Sequence, residues 1–147
     1  MPFAESFGAL AQLQRAGKIR HLGLSNVSVA QLAEARRIAP VVSVQNSYSI
    51  DNRASEDVLK ACEKLGLAFL PWYPLGAGSA LRSATVKKAA VRLRATPAQV
   101  AIAWLLAHSP AMLPIPGTAS LEHLEENARA AKLALSAQDM RELDEAR

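Results

Sequence analysis

Apolar positions along the chain switch between a helical period and short β-like runs. Phe3, Phe7, Leu10 and Leu13 recur at helical spacing, and Gly17 can end that helix. Ile19 to Leu24 then predicts a strand. Ser28 follows as an N-cap, with Gln31 three residues on to complete a capping box, and the helix they open stops by Pro40. Val41 to Gln45 is the next strand, rich in valine. A polar loop, Ser47 to Ser55, leads to a helix that turns Val58, Leu59, Cys62 and Leu65 inward, with Gly66 at its C′ position. Leu67 to Leu70 predicts a third strand. The stretch holding Pro71, Pro74, Gly76 and Gly78 is the most broken of the chain. A basic helix spans Thr85 to Arg94. Thr96, Pro97 and Gln99 mark another helix start, whose buried face is Val100, Ala101, Trp104 and Leu105. Met112 to Ile115 predicts a fourth strand, and helices open near Ser120 and Ser136.

Strands joined by helices pair in parallel through right-handed crossovers. The pattern therefore predicts about four βα units in a single α/β domain over residues 1–147. It leaves two architectures open: a flavodoxin-like open sheet, or half of a (β/α)₈ barrel. No Gly-x-Gly-x-x-Gly element is present, and no linker divides the chain.

Composition narrows the classes further. Half of the 147 residues are apolar and 20% are charged, enough for one real core. The net charge is +4, with the basic residues densest at Arg82, Lys87, Lys88, Arg92 and Arg94. On a helix such a run predicts a solvated face, and the few aromatics argue against nucleic-acid binding. The single cysteine, Cys62, sits among apolar residues and is expected to be packed rather than reactive. No zinc-ligand spacing occurs. The first residues lack the features of a signal peptide, and no apolar run is long enough for a membrane span. The expected location is the cytoplasm.

In parallel α/β folds, ligands sit at the C-terminal ends of the strands. Those ends read Gly23-Leu24-Ser25-Asn26, Gln45-Asn46-Ser47-Tyr48, Pro71-Trp72-Tyr73-Pro74-Leu75-Gly76 and Pro116-Gly117-Thr118-Ala119-Ser120. Amides and hydroxyls end two strands, an aromatic pair ends another, and a glycine-led helix start ends the last. That set suits a ligand with an amide, a flat ring and a phosphate.

These residues also resemble a family. The run Gly17 to Asn26 is similar to the fifth-strand signature of aldo-keto reductases. Val44-Gln45-Asn46, Pro71 to Gly76 and Leu113 to Thr118 follow in the family's order, and Glu126-Asn127 arrives at the right distance. The resemblance covers essentially the whole chain. It implies the C-terminal half of a (β/α)₈ barrel and an NAD(P)H-dependent oxidoreductase of carbonyls and alcohols.

The resemblance also implies roles. Ser25, Asn26 and Gln45 would hydrogen-bond the nicotinamide carboxamide, and Trp72 would stack on the nicotinamide ring. Leu75, Gly76 and Ser79 would lie along the pyrophosphate. Gly117, Thr118 and Ser120 would meet the adenosine 2′-phosphate or ribose, and Glu126 and Asn127 the adenine. By residue type alone, the amides would cap strand ends, Trp72 would fill a core, and Ser120 would be a plain N-cap. Many family members carry lysine where Gly117 stands and arginine where His123 stands. The family expectation is NADP(H) over NAD(H), and losing both charges weakens that preference.

The family's catalytic tyrosine, lysine, aspartate and histidine lie on earlier strands, and no residue here matches those motifs. Tyr48 and Tyr73 belong to the cofactor side of the resemblance and show no tuning partner in sequence. His21 and His108 have no carboxylate close in sequence. Carbonyl reduction needs a proton donor at the oxygen. The expectation is therefore a fragment that binds cofactor without turnover; the alternative is a non-catalytic nucleotide-binding or assembly half-barrel. Unpaired edge strands predict self-association.

Overall fold

The computed structural model describes residues 2–145. Capping chemistry sets most helix starts. Helix α1 spans Phe3–Arg15 and buries Phe7 and Ala11. Helix α2, Val29–Ile38, opens on the Ser28/Gln31 capping box, and α6, Pro97–His108, on the Thr96/Gln99 box. Helix α3, Glu56–Leu65, ends on Gly66 at φ 65°, the left-handed position that glycine takes without strain. A 3₁₀ turn, Gly76–Gly78, runs into the short α4, Ser79–Arg82. The broken stretch is thus an ordered turn. Helices α5 (Ala84–Leu93), α7 (Leu121–Arg129) and α8 (Ala137–Asp144) complete the set, each opened by a serine side chain accepting a backbone N–H.

The strands are shorter than their apolar runs. β1 is Gly23–Ser25, β2 is Ser43–Gln45 and β3 is Ala68–Phe69. They pair in parallel in the order β1-β2-β3, with Leu24 opposite Val44 and Val44 opposite Phe69. The expected fourth strand, Met112 to Ile115, reduces to a single parallel bridge between Phe69 and Met112. Leu113 N–H still donates to the Phe69 carbonyl at 2.8 Å. Beyond it, Pro114 and Pro116 have no N–H to give, so the ladder stops.

Alternation along the strands divides two environments. Leu24, Val44 and Phe69 are buried beneath the helices, whereas Gly23 and Ser25 are exposed and Ser43, Gln45 and Ala68 are half-buried on the other face. Nearly all of the core therefore lies between sheet and helices. At its centre is α6, buried at every position from Val100 to Leu105, as a helix covered on all sides must be. No helix among the described residues is long and apolar enough to cross a membrane.

The basic run is only partly a solvated face. Arg92 on α5 pairs with Asp139 and, at 3.1 Å, with Glu142, both on α8. That pairing ties the chain's last described helix to its middle.

Candidate functional site

The ends of the three strands converge on one side of the sheet. Asn26 leaves β1 in the left-handed conformation, φ 55°, which asparagine tolerates better than most residues. Its backbone N–H donates to the Gln45 carbonyl at 3.0 Å. Its side chain spans the next gap: Nδ2 donates to Ser25 Oγ at 3.2 Å, and Oδ1 accepts the Trp72 indole N–H at 2.9 Å. Trp72 is fixed through its backbone as well, donating to the Asn46 carbonyl at 3.1 Å beside a bridge to Ser47. Tyr73 packs edge-on against the indole, with ring centroids 4.9 Å apart. Ser25 and Gln45 are register partners across β1 and β2. Among the described residues, the Gln45 amide has no hydrogen-bond partner. The structure thus brings Ser25, Asn26, Gln45 and Trp72 into one group: a half-buried indole with amides and a hydroxyl beside it.

Asn46, next to Gln45, faces the other way. It is buried, and its amide both accepts from Val27 N–H at 3.1 Å and donates to the Val27 carbonyl at 2.8 Å. It therefore fixes the β1–α2 loop against β2. Only alternation along β2, with Gln45 inward and Asn46 outward, could have separated the two roles.

A second cluster lies along the glycine turn and α7. Leu75, Gly117, Thr118, His123, Glu126 and Asn127 line a cavity of about 230 Å³ together with Leu81 and the start of α6. Ser120 is not among the lining residues and is committed to capping α7 through the His123 N–H. Thr118 Oγ1 accepts the Ser120 N–H at 3.0 Å, which shapes the turn before the helix. Glu126 accepts the Thr96 hydroxyl, and its carbonyl takes Gln99 Nε2 at 3.1 Å. One oxygen of its carboxylate is therefore already engaged, while Asn127 is half-buried on the cavity wall. Space is open around Gly117, where an added Cβ meets nothing within 4 Å. Gly76 and Ser79 do not line this cavity; they border a separate one of about 230 Å³ with Asp51 and Tyr73.

Tyr48 corrects an expectation. Its side chain is wholly buried under the helix layer, packed against Phe69 and Trp104, and it has partners after all. Its hydroxyl donates to Glu56 and lies 2.9 Å from His108 Nε2, which in turn is 3.3 Å from both Glu56 oxygens. Burial first, then the Glu56 hydrogen bond, raises the phenol far above its ordinary value, so it stays protonated. Burial pushes Glu56 up, but the Tyr48 hydrogen bond and the facing His108 outweigh it and leave the carboxyl below its usual value. Trp104 stacks against both rings, 4.5 Å from His108 and 6.3 Å from Tyr48, with the Arg53 guanidinium 4.6 Å above it. The group is a structural knot joining α3 to α6. His108 stands 52 and 60 residues from Glu56 and Tyr48 in sequence, which hid the group.

The sequence profile of the Aldo/keto reductase family matches residues 1–92 and 81–147. The chain belongs to the aldo/keto reductase family. Pyridoxine 4-dehydrogenase of Escherichia coli (strain K12) is 48% identical over 139 residues, covering 95% of this chain and 49% of the relative. A thermostable aldo-keto reductase in complex with the inhibitor epalrestat superposes with a TM-score of 0.91 at 34% identity, over 100% of this chain and 56% of that one. An aldo/keto reductase of Klebsiella pneumoniae, in complex with NADP and acetate, gives 0.87 at 30% identity, over 98% of this chain and 54% of that one. The chain thus spans about half the length of the relatives it matches, and it corresponds to their C-terminal part. Of the two architectures the pattern allowed, the half of a (β/α)₈ barrel is the correct one.

Proposed function

We propose that this chain supplies the nicotinamide-cofactor half of an NAD(P)(H)-dependent oxidoreductase of carbonyls and alcohols, as a single half-barrel unit over residues 1–147. The observation that carries the proposal is the indole of Trp72 held by Asn26 at 2.9 Å, beside Ser25 and an unpartnered Gln45 amide. An immobilised flat ring with amide donors and acceptors at its edge complements a nicotinamide carboxamide. Ser25, Asn26 and Gln45 would orient the carboxamide, and Trp72 would cover one ring face. The cavity between Leu75 and Asn127 has room for an adenosine, with Gly117, Thr118 and Ser120 at the helix start where an anion is favoured. Glu126 and Asn127 would meet the base, and Gly76 and Ser79 the phosphates between.

When bound, the cofactor supplies the hydride. These residues bind and orient it and keep water off one ring face. None of them stands as the proton donor, and Tyr48 is not a candidate, being buried and bonded to Glu56. Binding without turnover is therefore the expected behaviour of the chain alone. The preferred form is NADP(H), in line with the NADP complex of the Klebsiella pneumoniae protein. Without a lysine at Gly117 or an arginine at His123, the preference should be shallow.

Calorimetric titration with NADPH and with NADH tests the reading. Saturable binding of either supports it, with NADPH the tighter by a small factor. Absence of binding to both refutes it.

A further inference from the structure

Asp51 lies outside every role assigned so far, yet it occupies the space directly beneath the glycine turn that leads into α4. It sits on a rigid turn. Ser49 and Asn52 exchange backbone hydrogen bonds at 2.9 and 3.2 Å, Arg53 Nε donates to the Ile50 carbonyl at 3.2 Å, and Tyr48 and Ile50, just before Asp51, are buried. From this pedestal one carboxylate oxygen accepts the Ser49 hydroxyl at 2.6 Å, and the other accepts the Ser79 hydroxyl. Ser79 Oγ also reaches back to the Gly76 carbonyl at 2.6 Å. The carboxylate approaches Gly76 so closely that an added Cβ would stand 2.6 Å from its oxygen.

The turn it supports is conformationally unfavourable. Gly76, Ala77 and Gly78 run in succession at φ 59°, 51° and 90°, and Ala77 has a Cβ that disfavours this region. Such a run persists only where its surroundings fix it. Asp51 is a charged group set against Gly76 at the start of the run and hydrogen-bonded to Ser79, the residue just after it. Partial burial raises its carboxyl, but the Ser49 and Ser79 hydrogen bonds, with the charge of Arg82, bring it below the ordinary value, so it is ionised at neutral pH.

We propose that Asp51 is a positioning residue for cofactor binding: through Ser79 and Gly76 it holds the Gly76–Ser79 turn in its bound-ready shape. The inference rests on the cofactor reading above. An ionised Asp51 so near the turn would repel a phosphate placed directly against it. Its action is therefore indirect, carried by the Ser79 hydroxyl and by the space it denies to the turn.

The test is the Kd for NADPH in the full chain, measured for wild type, D51A, D51N, S79A and the double variant D51N/S79A, with W72A alongside. Removing a charge-assisted hydrogen bond that holds the turn should weaken binding about tenfold in D51A. Asn keeps one oxygen to accept from Ser79, so D51N should recover part of the loss. In the double variant the S79A effect should no longer add to that of D51N, the sign of one coupled contact. Wild-type affinity in D51A, no recovery in D51N, or fully additive losses would each overturn the proposal. If D51A does not fold, the cycle between D51N and S79A decides alone. Failure of the cofactor reading is seen separately: wild type would not bind, or W72A would bind as tightly as wild type.

Discussion

The Trp72 indole N–H donates to Asn26 Oδ1 across 2.9 Å, so the loop after β3 is tied to the end of β1 over the intervening β2. The bond does two things at once. It fixes the ring plane, and it holds a left-handed asparagine whose other amide atom fixes Ser25.

Replacing Asn26 by alanine should therefore do more than remove one polar group. The indole loses its acceptor, and alanine is strained at φ 55°. NADPH affinity should fall by about tenfold, while Asn26→Asp, which keeps the acceptor for Trp72, should lose less. Fluorescence anisotropy of the indole, with Trp104 removed by W104F, should show greater ring mobility in N26A. Unchanged anisotropy and unchanged affinity would remove Asn26 from the site.

Acid stability should depend on Asp139. Hydrogen bonds from Ser136, then from Arg92, hold its carboxyl down to about 2 in the folded chain. The unfolded value is about 3.9, so the folded form binds protons more weakly. The stabilisation is complete above the unfolded value and is lost as pH falls through the folded one. Thermal midpoints of wild type and Asp139→Asn should differ at pH 6 and converge between about pH 4 and pH 2. A constant difference across that window would contradict the assignment.

Cys62 should be inert in the folded chain. It is wholly buried, and burial pushes its thiol up to about 11. A thiol reagent at pH 8 should label it slowly in buffer and at once in denaturant. Equal rates in both would show that the packing against the inner face of α3 does not cover it.

The inner sheet face predicts association of the 147-residue chain. Leu113 is 55% exposed and Ile115 40% exposed, and β1 has an unpaired edge. Edges and apolar faces of this kind recruit a second chain. Light scattering should give a mass above that of a monomer, and L113E should reduce it. A monodisperse monomer for wild type would contradict this.

Much of the fold was legible because its signals are local. Ser28 with Gln31, Thr96 with Gln99, and Gly66 after Leu65 each act within one helix turn, and the helices start or stop there. Strand lengths were not legible, because a strand needs a partner with donors. Leu113 to Ile115 has the apolar pattern of a strand, but its interleaved prolines end the ladder. The candidate site divides in the same way. Ser25, Asn26, Gln45 and Trp72 sit at strand ends where the pattern puts ligands, and they do gather there. Tyr48 was misplaced because its partners, Glu56 and His108, come from helices α3 and α6, and no local pattern brings them together. Asp51 was missed for the same reason, being joined to Ser79 only by the return of the chain.

Whether Trp72 packs against a bound nicotinamide is decided by titrating the chain with NADPH while following tryptophan fluorescence, in wild type and in Trp72→Ala. Wild type should show saturable quenching that is lost in the variant, with the buried Trp104 left unquenched. Quenching that survives in Trp72→Ala, or no saturable response in wild type, would contradict it.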